Sequence, residues 1–182
     1  AATLAESDEP LSDPIPRPRR ASVLYRRGDG LWLANYDAQQ DRPLKLNEGK
    51  AIAAHWSPDG RTILYLNAPA EPRKLNNIRE NTPDTNEDRF VADTTQFAAF
   101  APNSDATMFV GASGSKASPH VLLLARAVKR EFTLCEHRAS APQMTSPMFS
   151  PDSQKVLFTS DQHGKAAIYI MAVEKLVNET ER

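Results

Sequence analysis

One short phrase occurs three times in the chain, and this repetition constrains the fold more than any other feature. Each copy has an aromatic residue, a small residue, a proline and Asp or Asn, followed shortly by a β-branched or aromatic run. The copies occupy residues 56–65, 100–110 and 149–158. Self-similarity at a period of roughly 40 to 50 residues indicates an architecture of similar, consecutive units.

Each copy of the phrase predicts a tight turn between two strands. Proline presets φ at the second turn position, and the Asp, Asn, Gly or Ser after it tolerates the remaining turn geometry. Further β-rich runs follow each turn, so each repeat supplies about four short strands, the content of one propeller blade. The sequence therefore predicts an all-β fold, a β-propeller with about three and a half to four four-stranded antiparallel blades.

The sequence predicts an N-terminal segment, which we call the lead-in, followed by propeller blades. Residues 1–21 are rich in proline and show no strand or helix period, which predicts a flexible segment. The blades are expected at about 22–49, 50–93, 94–139 and 140–182. No copy of the phrase precedes the first blade, so its innermost strand is expected to be missing. Closed propellers usually have about four to eight blades, so we expect a partial or half propeller, completed by an oligomer or by missing N-terminal blades.

Composition excludes two classes of partner. The chain has 182 residues, 25% of them charged, and a formal net charge of −1, which gives no electrostatic footprint for nucleic acid. No apolar run approaches the ~20 residues that a membrane span needs. The lead-in is either the mature end after a signal peptide or an interdomain linker, so an exported, periplasmic location is expected, with the cytoplasm as the alternative.

Residues that could carry chemistry are few. None of the four histidines has a metal-ligand spacing. Cys135 and His137 lie two apart, and we interpret them as a strand that packs Cys135 and exposes His137 rather than as a nucleophile and its base. The glycine-containing run 111–116 lacks the spacing of a phosphate-binding loop and is interpreted as a hairpin turn.

Aromatic residues recur just before the turns, and this recurrence has two interpretations. They could form a sugar-stacking platform, but their regular recurrence favours packing between blades. The residues concerned are Trp32, Trp56, Phe100 and Phe149.

Residues 132–140, 143–152 and 156–169 together resemble the C-terminal blades of oligogalacturonate lyases. The resemblance is densest over 130–173 and extends weakly back to about residue 50. More loosely, the Ser-Pro-Asp-Gly repeats are similar to the propeller of TolB-type proteins. The resemblance implies a propeller fold and identifies where a site would lie in that family.

In the lyase family, a Gln-x-x-His-x-His motif binds a manganese ion on the propeller axis. The matching positions here are Gln143, Ser146 and Met148, so one metal ligand survives and both imidazoles are replaced. Further family histidines are expected near Ala53 and Ala98. His55 lies two residues from Ala53 and would share its strand face.

These departures bear on function because β-elimination in a uronate chain needs a base and a cation to hold the developing charge. A hydroxyl and a thioether do not replace two imidazoles at a hard or borderline metal. We therefore expect a noncatalytic module without a cofactor, which binds a protein or an oligosaccharide at the propeller axis or at an open edge. The alternative is a manganese-dependent oligogalacturonate lyase acting in pectin degradation, with a site rebuilt from His55, Gln143 and an arginine such as Arg79 or Arg138.

Overall fold

Fifteen strands form four antiparallel sheets in a computed structural model of the chain, which describes residues 3–176 except for the side chain of Gln143. Blade one contains β1 (Leu11–Pro16), β2 (Ser22–Arg27), β3 (Gly30–Asn35) and β4 (Asp41–Pro43). Blade two contains β5 (Lys50–Trp56), β6 (Ile63–Ala68), β7 (Asn77–Thr82) and β8 (Glu87–Asp93). Blade three contains β9 (Phe97–Pro102), β10 (Met108–Ser113), β11 (His120–Ala125) and β12 (Arg130–Glu136). Blade four contains β13 (Met148–Phe149), β14 (Lys155–Ser160) and β15 (Ala167–Ala172), and a 3-10 turn at Pro142–Met144 precedes it.

Each sheet is a meander in which consecutive strands pair, and this confirms the predicted all-β propeller blades. The first strand of each blade lies at one sheet edge, and the first strands of neighbouring blades contact one another, β5 with β9 and β9 with β13. These first strands therefore form the inner, axial side of the propeller.

Apolar clusters hold neighbouring blades together. Alternate residues of a strand point to opposite faces of its sheet, so Ile63 and Tyr65 pack toward blade one while Leu64 and Leu66 pack toward blade three. Between blades three and four, Val110 contacts a cluster that includes blade-four residues. Full burial of such a side chain contributes about 1.5–3 kcal/mol, so the blade interfaces form the core of the molecule.

The N-terminal lead-in is only partly what the sequence predicts. Residues 11–16 form β1, which pairs with β2 and places Ile15 opposite Leu24. The expectation of a flexible segment over 1–21 is therefore wrong for this stretch, and blade one does have its innermost strand. Two prolines are tolerated here because β1 is an edge strand and needs hydrogen bonds on one side alone.

The repeated turn lies two residues later in blade three than the phrase suggests. In blades two and four the Ser57 and Ser150 hydroxyls accept the backbone N–H of Thr62 and Lys155, each at 3.0 Å. In blade three the Asn103 Oδ1 accepts the N–H of Met108 at 2.9 Å. Asn103 therefore begins the turn, and the proline before it is the last residue of β9 rather than a turn residue.

The ring of blades is open, as expected for a partial propeller. Ile168 and Ile170 lie on the face of blade four that points away from blade three, and they are 74% and 62% exposed. In a closed ring of four blades, blade one would cover this face, so these exposures show that the ring does not close on itself.

Within residues 3–176, no helix is both long enough and apolar enough to cross a membrane.

Candidate functional site at the propeller axis

The ends of the four innermost strands surround one pocket, which we call the axial pocket. Its volume is about 510 Å³, and it is lined by the last residues of β1, β5, β9 and β13, namely Pro16, Trp56, Pro102 and Phe149. Each strand ends at this level because a turn follows it in blades two to four. The repeat therefore builds the pocket by placing equivalent strand ends side by side.

The lining of the axial pocket is largely apolar. Proline, aromatic and thioether side chains dominate, and no charged side chain is among the described residues that line it. Two of its polar side chains are already used within the fold. Asn103 closes the blade-three turn, and the Ser104 hydroxyl lies 2.9 Å from that of Ser153. The pocket therefore offers shape and apolar surface rather than acid–base groups.

His55 lies on the wall of the axial pocket, but one of its ring nitrogens is engaged. Nε2 donates to the backbone carbonyl of Phe100 at 2.8 Å, and the two rings meet edge to face with centroids 5.1 Å apart. Because a carbonyl oxygen can only accept, Nε2 carries the proton. Burial lowers the pKa of His55 and outweighs the opposing effect of this hydrogen bond, so the ring is neutral at pH 7.

The strand register places His55 as the sequence analysis expects relative to Ala53. Ala53 pairs with Leu66 and His55 with Leu64, so both point toward blade three. Ala98 lies on β9, the neighbouring innermost strand.

The two candidate arginines lie away from His55. Arg79 pairs across the sheet with Tyr65 and faces blade one, whereas His55 faces blade three. Its Nε donates to Asp88 at 2.5 Å, and both side chains are largely buried. Arg138 follows β12, is exposed, and pairs with Glu136 at 2.6 Å. The structure does not bring either arginine to the axial pocket.

The three positions that match the lyase motif lie around the start of blade four. Gln143 lies within the 3-10 turn, and its side chain is outside the described part of the structure. Ser146 is exposed and has a left-handed backbone with φ of 38°. Met148 begins β13 and lines the axial pocket.

Several known proteins are similar to this chain in sequence or in fold. No family model matches the chain. An oligogalacturonide lyase from Pectobacterium atrosepticum is 27% identical over 95% of this chain and 52% of its own length. A solved oligogalacturonate lyase in complex with manganese is 25% identical, has a TM-score of 0.84, and is matched over 96% of this chain and 51% of that one. The Tol-Pal system protein TolB from Nitratidesulfovibrio vulgaris is 24% identical over 80% of this chain and 33% of its own length.

The chain is an oligogalacturonate lyase-like and TolB-like β-propeller. It spans about half the length of the curated lyase relatives that it matches.

The described side chains of this lyase-like propeller do not fit a manganese ion. In residues 3–176, no group of three or more His, Cys, Asp or Glu side chains is arranged to hold a metal. Ser146 and Met148 supply a hydroxyl and a thioether where the lyase motif has imidazoles, and a thioether is a poor ligand for manganese. The Nε2 of His55 carries a proton that bonds to a carbonyl, so this ring could offer a metal Nδ1 alone.

Cys135 and His137 differ from their expected arrangement. His137 is completely buried and follows the end of β12, whereas Cys135 is half-buried on that strand. The Nδ1 of His137 accepts the N–H of Ala139, and its Nε2 donates to the Ser113 carbonyl at 3.2 Å. The prediction that His137 is exposed is wrong, because the loop after β12 turns this ring into the interior to satisfy backbone groups.

Of the four aromatic residues before the turns, three pack between blades as the sequence favours. Phe149 is partly buried against the cluster between blades three and four, whereas Trp32 belongs to no apolar cluster of the described residues. Trp56 and Phe100 are buried in the blade interfaces. The indole N–H of Trp56 also donates to the Ile15 carbonyl, and the Arg17 guanidinium lies 5.0 Å from the centre of its ring. No local signal in the sequence indicates this structural role of Arg17, because its nearest neighbours are prolines and other arginines.

Proposed function

We propose that this chain is a noncatalytic propeller module that binds an apolar segment of a protein in the axial pocket. The observation that carries the proposal is the lining of that pocket, which combines proline, aromatic and thioether surfaces and lacks charged side chains among its described residues. Apolar concave surfaces with few polar groups are typical binding sites for apolar ligands.

The side chains considered for elimination chemistry support the noncatalytic interpretation. A general base must reach the proton that it removes, and a cation must face the developing charge. His55 faces blade three, Arg79 faces blade one, and Arg138 is paired outside the pocket. These groups do not converge on one substrate position.

A protein segment suits the axial pocket better than an oligosaccharide. Sugars are recognised through many hydroxyl groups, which require several free polar side chains. Asn103 and Ser104 are occupied by contacts within the fold, so few such groups remain to pair with hydroxyls.

The proposal can be tested with a fluorescently labelled peptide of alternating Leu and Ser, and a matched peptide of alternating Asn and Ser. We expect the Leu peptide alone to bind, and Met148→Glu to weaken it about tenfold or more because a charge enters an apolar site. Met144→Glu is the matched control, since Met144 is also exposed and does not line the axial pocket. Equal binding of both peptides, or equal loss in both variants, would contradict the proposal.

A second candidate function is a manganese-dependent oligogalacturonate lyase, favoured by the similarity to lyases over almost the whole chain. It predicts about one manganese per chain after purification without chelator, and release of unsaturated uronate from oligogalacturonate measured by ultraviolet absorbance. Neither is expected under our proposal. Product formation that depends on added manganese would overturn the noncatalytic function.

A further inference from the structure

The open ring has two end faces, one on blade four and one on blade one, and they differ in exposure. On the blade-four face, Ile168 and Ile170 are largely exposed, and Leu157 lies beside them on β14. On the blade-one face, Tyr25 is 5% exposed and Ala34 is fully buried, although no blade lies on this side of blade one within residues 3–176. A segment that is not a blade therefore covers part of the blade-one face.

Residues 4–10 of the lead-in, which we call the cap, lie over the blade-one face. Leu4 and Ala5 line one wall of an apolar cavity of about 240 Å³. The opposite wall belongs to the blade-one face and includes Val23, Tyr25 and Ala34. The cap therefore occupies the position that a preceding blade takes on blades two to four.

The cap is loosely held. The Arg27 guanidinium donates to the Glu6 carbonyl at 3.4 Å, and the Gly28 N–H donates to the Pro10 carbonyl at 3.2 Å. Such bonds usually span about 2.7–3.2 Å, so one is longer than usual and the other is at the limit. The cavity between the cap and blade one also leaves the apolar side chains there incompletely packed. A better-packed surface can therefore compete with the cap for the blade-one face.

Each interface inside the molecule joins an aliphatic face of one blade to an aromatic-bearing face of the next blade. The residues that share a cluster across the three interfaces include Leu33 with Tyr65, Leu64 with Phe109, and Val110 with Phe158. The same kind of contact is therefore used three times, and it has a direction, from the aliphatic face of one blade to the aromatic face of the following blade.

The two end faces have these same complementary characters. Residues 23–25 repeat the apolar–Leu–aromatic pattern of residues 63–65 and 156–158, in which the first and third members face the preceding blade. Tyr25 therefore belongs to an aromatic face, which fits the blade before it. The exposed isoleucines of β15 make the blade-four face aliphatic, which fits a following blade. The two end faces are thus the two halves of one further blade interface.

Trp32 adds a second aromatic side chain to the blade-one face. It pairs across the sheet with Tyr25 and with Pro43, so all three point to the same side. Trp32 is half-buried and belongs to no apolar cluster of residues 3–176, and the Arg27 guanidinium lies 3.9 Å from the centre of its ring. Aromatic side chains are enriched at protein interfaces because they bury a large area. The blade-one face therefore carries aromatic surface that the core of the chain does not use.

We propose that the blade-four face binds the blade-one face of a second copy of this chain, and that the cap competes for the same surface. Two copies form two such interfaces, so they close a ring of eight blades, twice the four of one chain and within the usual range of about four to eight. The cap must leave the blade-one face before the ring closes. The apparent affinity of the dimer therefore scales with the fraction of chains whose cap is displaced.

The role of the cap is tested by sedimentation velocity over a range of protein concentrations. Leu4→Asp places a charge against the apolar cavity and releases the cap, so we expect dimer formation to tighten about tenfold or more. Thr3→Asp is the matched control, since it adds the same charge at an exposed neighbouring position that does not line the cavity, and should behave like the wild type. Unchanged or weaker dimer formation in Leu4→Asp would overturn the competition between the cap and the second copy.

A mixing experiment identifies the two faces that meet. One chain carries Ile168→Glu and Ile170→Glu, the other carries Trp32→Glu, and both carry Leu4→Asp to release the cap. We expect each chain alone to stay monomeric and the equimolar mixture to form a dimer, because one intact blade-four face and one intact blade-one face remain. Dimers of the Trp32→Glu chain alone would show that two blade-four faces pair with each other, and would overturn the proposal. A monomeric mixture, or wild-type assemblies that grow beyond a dimer, would also overturn it.

A second blade-one variant separates loss of binding from loss of folding. Pro43 is exposed on the same face as Trp32, so Pro43→Glu leaves the half-buried indole in place. We expect this variant to unfold at the same temperature as the wild type, to stay monomeric alone, and to form a dimer with the Ile168→Glu, Ile170→Glu chain. Wild-type dimer formation by folded Pro43→Glu would show that the blade-one face is not the docking surface.

Discussion

At the scale of single residues, Arg17 joins three parts of the molecule. It lies just after β1, packs on the Trp56 ring, and bonds to Gly60 and Asp84 of blade two. Its guanidinium is buried while Asp84 is half-exposed, so hydrogen bonding and packing of Arg17 matter more than the charge pair itself.

We predict that Arg17→Met lowers the free energy of unfolding by about 2 kcal/mol, because the Gly60 carbonyl and Asp84 lose their donor. Arg20→Met serves as the control, since its contact with the same carboxylate is exposed and long, and should cost less than about 0.5 kcal/mol. Urea denaturation of the two variants provides the comparison. Equal losses would show that Arg17 contributes only surface charge.

Two buried histidines predict how stability depends on pH. Burial holds the pKa of His55 and His137 below the ordinary 6.5, and the His120 charge lowers that of His137 further. The unfolded chain therefore binds more protons than the folded one as pH falls below 6.5. Stability should decline from about pH 6.5 downward, by up to about 1.4 kcal/mol per pH unit for each histidine until its folded pKa is reached.

This prediction is measured by urea denaturation at pH 7.5 and at pH 5. His137→Gln keeps an amide that can accept from Ala139 and donate to Ser113, and it should show a smaller decline than the wild type. His163→Gln, at an exposed position, should decline like the wild type. The same decline in all three proteins would refute the assignment to His137.

At the scale of elements, the packing of β9 against β10 explains why a glycine stands at position 111. Gly111 lies inside β10, whereas the sequence interpretation assigned residues 111–116 to a hairpin turn. The Phe97 ring, on the neighbouring β9, occupies the space where a Gly111 side chain would be. Phe97 is fully buried between blades two and three, so it has no room to move.

Gly111→Ala should therefore destabilise the chain by about 2–3 kcal/mol through overpacking against Phe97. Gly164→Ala is a useful comparison, because its Cβ would meet nothing within 4 Å but its φ is 82°. That variant should lose only about 1 kcal/mol, through backbone strain. Thermal unfolding measures both, and a loss at Gly111 no larger than at Gly164 would contradict the packing argument.

At the scale of the whole molecule, the open face of blade four carries the two most exposed large apolar side chains among residues 3–176. Ile168 and Ile170 lie there beside Leu157, and Met148 pairs with Leu157 on the same face. In blades one to three the corresponding faces are covered by the next blade. An apolar face of this kind promotes association in solution.

We predict that the double variant Ile168→Glu, Ile170→Glu reduces concentration-dependent self-association in sedimentation velocity. Its stability should change by less than about 0.5 kcal/mol, because both positions are exposed. Val128→Glu, an exposed apolar position at the β11–β12 turn, is the control and should associate like the wild type. Identical sedimentation of all three proteins would refute a role for this face.

The periodic phrase determined the propeller fold, the three blades that contain it and the packing of Trp56 and Phe100, because turn chemistry and strand alternation are local properties of the sequence. The lyase-like motif likewise pointed to Gln143, Ser146 and Met148, since ligand replacement is visible in residue types alone. Only the tertiary structure decided that β1 completes blade one, that His55 and Arg79 face opposite directions, and that His137 is buried. These three features depend on which distant strands pair and on how far a turn shifts the strand register. A shift of one residue reverses the face of every side chain that follows in a strand, and no local pattern specifies it.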